Sequence, residues 1–399
     1  MLAIVNAEVR TCGPQGDLPG AAVLIQDGKI VAVGAGIEIP AEAERIDATG
    51  LIMTPGFVDA HTHMGISWQE LPGEADTNES TAAVNPHLRA IDSVNLHDVA
   101  FTDALEGGVT TVGILPGKLM IGSQNISPVA GQIVVMKTRG DVRRREVLSD
   151  PAGMKFALGT DVAGFLNERK IGPNSRMGIA ALLRKVLENA RCYADSAPGP
   201  GSIDLKLECM APVVAGRLPA HIHAHEADDI LTALRLAEEF GLKLVIHHAT
   251  EGHLIADAIA AAGVPCVVGP ITIARESARE TRNLSERTPG ILAARGVKVA
   301  LMTDHPTEPI QVLPVIAGQA VREGMAAAEA LRAITINAAE ILRVANRVGS
   351  IEPGKDADLV LHDGDPLEAM TRIRLVVADG RTVFDHIVFD PMPLVGGAA

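Results

Sequence analysis

Eight short apolar or β-branched runs punctuate the middle of the chain, at residues 57–63, 109–115, 132–138, 155–159, 220–224, 243–248, 266–269 and 298–304, with helical patterns between most of them. Repeated strand–helix units imply parallel strands, because a parallel connection must cross back over the sheet. Eight such units predict a closed (β/α)8 TIM barrel, an α/β fold. One intervening helix is legible in detail. Residues 229–241 place Ile230, Leu234 and Ala237 on one face, with Asp229 near the start and Gly241 at the stop. The third and fourth runs have little helix between them.

The two chain ends carry a different signal. Asp27-Gly28 separates the apolar runs 23–26 and 29–33, and Asp379-Gly380 separates 374–378 and 381–384. A two-residue Asp-Gly link between apolar runs marks a β-hairpin, since its type I′ turn needs positive φ at both central positions. Neither end has enough sequence to bury a sheet alone. The ends are therefore expected to pair into one small composite β-sandwich, contributed by residues 1–56 and 348–399, with the barrel at 57–347 inserted between them.

Composition narrows the function. Hydrophobic residues make up 47% of the 399 and charged residues 21%, a globular profile. Aromatics are only 2%, which leaves no stacking platform for single-stranded nucleic acid. A formal net charge of −14 repels phosphate backbones and anionic lipid, so neither nucleic acid nor a membrane is an expected partner. A small-molecule substrate is, with assembly into a homo-oligomer left open. Cys12, Cys192, Cys209 and Cys266 are widely spaced and read as reduced thiols of a cytoplasmic protein. The N-terminus lacks the basic and long apolar stretches of a signal peptide.

The chemistry concentrates at the ends of the predicted strands. In Pro55-Gly-Phe-Val-Asp-Ala-His61-Thr-His63 the two histidines are two residues apart and share a strand face, where they can grip one divalent metal. His221, His223 and His225 share one strand phase, so spacing does not choose among them. His247 and His248 are neighbours, so only one is expected to face the barrel interior. Thr303-Asp304-His305 closes the last run. The segment 68–86, with Asp76, Asn78 and Glu79, reads either as a lid or as a surface loop. Arg275 and Arg279 read either as clamps for a substrate carboxylate or as a solvated charged face.

This pattern resembles the amidohydrolase superfamily, in particular its imidazolonepropionase-related group, which also holds prolidase-like dipeptidases. The tail at 348–360, with Gly-Lys-Asp-Ala-Asp at 354–358, is similar to that superfamily's return into its composite β-domain. The resemblance implies that His61, His63, His223 and Asp304 ligate the metal, with His248 as a further ligand or as polariser of the substrate carbonyl. It implies Zn²⁺, Fe or Mn being the alternatives, and Asp304 as the general acid–base; with no bridging residue of the family's pattern, one ion per chain is expected and a second is left open. The implied reaction is hydrolysis of a C–N bond in an amide, a cyclic amide such as an imidazolone or lactam, or a dipeptide. The alternatives are deamination of a heterocycle and X-Pro or N-acyl dipeptide cleavage. Binuclear members bridge two metals through a carboxylated lysine or a glutamate on a middle strand. Lys155 opens the fourth predicted strand, far from its C-terminal end. Lys137, near the end of the third, is better placed, and reads either as a bridging ligand or as a residue with a structural or substrate-binding role.

Overall fold

The computed structural model describes residues 1–69, 75–117, 126–141, 143–196, 199, 201–272 and 279–386. Its centre is an eight-stranded, nearly closed barrel within a mixed α/β fold. The strands are β1 (Phe57–Thr62), β2 (Val109–Ile114), β3 (Val129–Asp141), β4 (Arg144–Ala157), β5 (Ala220–Ala224), β6 (Leu244–His248), β7 (Cys266–Val268) and β8 (Val299–Leu301). They lie side by side in chain order. At the rim the ring is drawn together by two backbone bonds between the segments following β1 and β8: Asp304 N donates to His61 O at 3.2 Å and His63 N to His305 O at 2.8 Å. Strands β1, β2, β5, β6, β7 and β8 are buried along their whole length. That is the state of strands covered by helices on one side and barrel interior on the other.

The third strand overturns the expectation of an all-parallel barrel. β3 runs antiparallel to both β2 and β4, while every other neighbouring pair is parallel. The cause is a hairpin in place of a strand–helix unit: Gly140 pairs with Arg145 and Asp141 with Arg144. No helix separates β3 from β4, and β4 begins at Arg144 rather than at Lys155. Lys155 thus lies near the C-terminal end of its strand, and the end of β3 that carries Lys137 points to the opposite rim.

Helix Ala227–Phe240 follows β5 and stops at Gly241, which takes the left-handed conformation with φ 65°. Its buried face is Asp229, Ile230, Ala233 and Leu236. Leu234 and Ala237 are only partly buried, so the face is rotated from the expected one.

The chain ends meet in a second eight-stranded sheet, where Ile52–Pro55 pairs antiparallel with Leu359–His362. Both Asp-Gly turns have the positive φ their type requires, 51° and 78° at Asp27-Gly28 and 49° and 69° at Asp379-Gly380. Ile4, Val23, Ile25, Met53, Leu361 and Val377 belong to a buried cluster separate from that of the barrel. Among the described residues no helix is long and apolar enough to cross a membrane.

Candidate active site

His61 and His63 sit at the C-terminal end of β1 and are almost completely buried. Behind them Asp59, of the Pro-Gly-Phe-Val-Asp motif, ties β1 to β8. One of its oxygens accepts from His61 N at 3.1 Å, the other from Thr303 N at 3.0 Å and Thr303 Oγ1 at 2.6 Å. Burial pushes the Asp59 carboxyl up to about 7 despite these donors. The clamp brings Asp304 over the histidines: Asp304 Oδ1 lies 3.4 Å from His61 Nε2 and 3.3 Å from His63 Nε2. Asp304 holds a left-handed backbone, φ 53°, of the kind that marks functional sites when a non-glycine residue adopts it.

A second group, His223, His225 and His248, gathers at the ends of β5 and β6, with ligand atoms within 4.8 Å of one another. His248 joins the two groups, its ring 5.2 Å from that of His61 and 4.3 Å from those of His223 and His225. The expectation that only one of His247 and His248 faces inward does not hold. His248 has φ 71°, which breaks the strand's alternation and turns its ring back beside that of His247's partner, His61.

Hydrogen bonds fix which nitrogen each histidine presents. His63 Nδ1 donates to Leu115 O at 2.7 Å and His248 Nδ1 to Gly269 O at 2.9 Å, so each turns an Nε2 lone pair to the centre. For His61 the same state is compatible with a buried chain of histidines. Its Nδ1 lies 3.0 Å from His247 Nδ1, and His247 Nε2 lies 2.8 Å from His221 Nδ1. If His61 Nε2 ligates, His61 carries its proton on Nδ1, and His247 and His221 carry theirs on Nε2. The chain ends where Gly153 leaves room for the His221 ring, since a Cβ there would come within 2.4 Å of it. His221 therefore supports His61 from below and does not join either group. Burial, then the charge of Lys155, holds both His61 and His247 well below the usual histidine range.

The reversed β3 exchanges the two lysines. Lys155 Nζ lies 3.5 Å from His61 Nε2, and the residue is 1% exposed. Burial draws its amine down to about 7, against the opposing pull of Asp304. Lys137 lies away from both groups, bound instead to Asp358, to Asp356 at 3.0 Å and to Asp379 at 3.1 Å. It pins the barrel to the Gly-Lys-Asp-Ala-Asp return and the C-terminal hairpin, and the bridging or substrate-binding reading of Lys137 is corrected accordingly. Burial alone would lower its pKa; the three carboxylates raise it. Removing one partner of such a buried network strands the others. Lys137→Met is therefore expected to cost about 3–5 kcal/mol of stability, read from the urea midpoint, while the folded protein's metal content stays unchanged. An unchanged midpoint would show that the cluster does not hold the sheet to the barrel.

Arg279 donates through Nε to Glu226 Oε1 at 2.7 Å, and its side chain is about half exposed. Arg275 lies outside the described residues. Of the segment 68–86, residues 70–74 also lie outside them. The described remainder is tied down, with Asn78 Oδ1 accepting from Ser127 N at 3.2 Å and Thr77 O from Gly117 N at 2.7 Å.

The sequence of the amidohydrolase family matches residues 202–383. An amidohydrolase of known structure from Thermotoga maritima is 39% identical, with 96% of this chain and 100% of that one covered and a TM-score of 0.90. Imidazolonepropionase from Solibacter usitatus is 28% identical, over 87% of this chain and 85% of its own. Amidohydrolase tasK from Hapsidospora irregularis is 27% identical over 92% of this chain, which spans only 40% of that protein's length. The chain belongs to the amidohydrolase family, and with it to the metal-dependent hydrolases of carbon–nitrogen bonds.

Proposed function

We propose that the barrel mouth holds two divalent ions and hydrolyses the C–N bond of a small cyclic amide of the imidazolone or lactam kind. The observation that carries this reading is the pair of adjoining three-residue groups, His61, His63, Asp304 and His223, His225, His248, beside the buried amine of Lys155. The donor set fits a cation. Among the described residues, Asp304 Oδ1, a buried atom, has no hydrogen-bond partner, and it faces His61, which burial keeps neutral. Lone pairs thus converge with no proton between them, an arrangement that a cation relieves. Imidazole and carboxylate donors suit Zn²⁺, with Fe and Mn as alternatives. Two groups favour two ions over the single one expected from sequence. The similarity to imidazolonepropionase favours the cyclic amide.

When bound, a divalent ion supplies Lewis acidity, lowering the pKa of water to about 7 and polarising a carbonyl. The protein's own groups do the rest. Neutral Lys155 would add CO₂: an N–C bond forms as one C=O π bond opens, the amine proton passes to water, and the resulting carbamate would offer an oxygen to each group. His61, His63 and His248 present Nε2, each locked by the partner on its Nδ1. With its proton committed to Gly269, His248 acts as a ligand rather than as a donor to the substrate oxygen. Asp304 accepts a proton from the attacking water and returns it to the leaving nitrogen.

The sheet built from both chain ends serves as a composite β-sandwich domain of residues 1–56 and 348–399 around a barrel of 57–347. The free cysteines suit the cytoplasm. The test is metal content together with turnover of a panel of imidazolones, lactams, hydantoins, N-acyl dipeptides and X-Pro dipeptides. Two ions per chain and ring opening without ammonia release are expected. Ammonia release from a heterocycle would place the chain with the aminohydrolases, and full turnover by metal-free protein would end the reading.

A further inference from the structure

Glu280 lies in the short turn Arg279–Thr281, beyond β7, and is 3% exposed. One of its oxygens is anchored. Oε1 accepts from Thr160 Oγ1 at 3.1 Å and from Asp161 N at 2.9 Å, at the start of helix Thr160–Arg169. Gly159 makes room for it: a Cβ there would come 2.4 Å from Oε1, and its φ of 124° is one that other residues avoid. The other oxygen, Oε2, is buried with no hydrogen-bond partner. It lies 3.7 Å from His223 Nε2 and 3.9 Å from His225 Nε2.

An unpaired buried carboxylate oxygen is costly, and among the described residues no hydrogen-bond donor offsets it. A cation would. Two donors about 2.1 Å from one ion at tetrahedral angles sit about 3.4 Å apart, close to the separations seen here. His225 and His248 engage Thr250 Oγ1 and Gly269 O through Nδ1, so Nε2 is the atom each has turned toward an ion. The structure assigns Glu280 as a carboxylate ligand of the ion at His223, His225 and His248, adding one carboxylate to the three histidines and the Lys155 carbamate. The assignment rests on the two-ion reading above. It gives this ion a hard, charged donor from a segment beyond β7, with Oε2 fixed by the tie on Oε1.

Glu280→Gln separates this role from a structural one. The amide oxygen still accepts from Thr160 and Asp161, while an amide NH₂ replaces the ligating oxygen. Full-length metal-free protein is titrated with Zn²⁺ against a chelator, with metal counting and circular dichroism on the same samples. The wild type is expected to take up two equivalents. Glu280→Gln should bind one as the wild type does and the other at least about 10–100-fold more weakly, the scale of even an outer partner's loss. Glu280→Asp, which keeps the charge but retracts it, should fall between. Thr160→Val, which removes one anchor bond and leaves Oε2 in place, should keep both equivalents. Folded Glu280→Gln protein holding both ions as tightly as the wild type would overturn the assignment. A wild type that binds a single equivalent would overturn the two-ion reading and this assignment with it.

Discussion

Lys155→Met is expected to leave a folded protein that takes up less metal and turns over at least about 100-fold more slowly. Methionine matches lysine in length and fills the same buried space, so the fold should hold. Burial already disfavours the charged amine at this position, and an apolar side chain removes that penalty. What is lost is the lysine that, among the described residues, lies beside the histidine clusters and is able to become a shared carboxylate. The pH dependence gives an independent check on metal-free protein. With the amine at about 7, burial leaves it about nine-tenths neutral near pH 8 and about one-tenth neutral near pH 6. Only the neutral amine adds CO₂, so CO₂ supplied at the same dissolved concentration should speed metal uptake by the wild type near pH 8 and do much less near pH 6. It should have no effect on Lys155→Met at either pH. A variant that reloads two ions and keeps wild-type turnover would remove Lys155 from the centre.

Why Lys137 looked the better placed of the two lysines has a physical answer. Apolar runs and their alternation locate strands, but a period of two is the same read in either direction. Strand direction came from the eightfold strand–helix pattern, which was carried across the third and fourth runs although little helix separates them, and a hairpin stands there. The residues at this connection, Arg-Gly-Asp-Val-Arg-Arg-Arg at 139–145, lack the Asp-Gly pair flanked by apolar runs that marks the hairpins at Asp27-Gly28 and Asp379-Gly380, and Gly140 and Asp141 are themselves paired with Arg145 and Arg144. The paired histidines of β1 and Asp304 after β8 were legible because strand ends at the C-terminal rim of a barrel converge whatever the loops do. His225 and His248 as members of one group were not, since that depends on the left-handed φ at His248, which no spacing encodes. Nor was Glu280, which stands outside the strand pattern and reaches the centre only through its tie to Thr160 and Asp161.

Asp304→Asn separates a catalytic centre from a metal site that merely holds the rim together. Asparagine tolerates the left-handed backbone that Asp304 adopts at φ 53°, so the rim should keep its shape. The Asp304 N bond to His61 O is a backbone bond and survives, as does the Asp59 clamp on Thr303. An amide oxygen can still take the Thr307 Oγ1 bond, 3.2 Å long in the wild type. What changes is the atom facing His61 and His63, which loses its charge and its capacity to take a proton. A general acid–base group contributes typically about 10²–10⁴-fold, and the ligand role lost with it adds to that. Turnover should therefore fall by at least about 10²-fold, with the circular dichroism spectrum unchanged and metal affinity reduced but measurable. Turnover, metal content and circular dichroism must come from one preparation, so that lost metal is not mistaken for a lost base. Activity within a few-fold of wild type in folded, metal-loaded Asp304→Asn would take Asp304 out of the proton transfer and leave it a ligand only. Loss of activity at full metal occupancy is the result that the proton-transfer role requires.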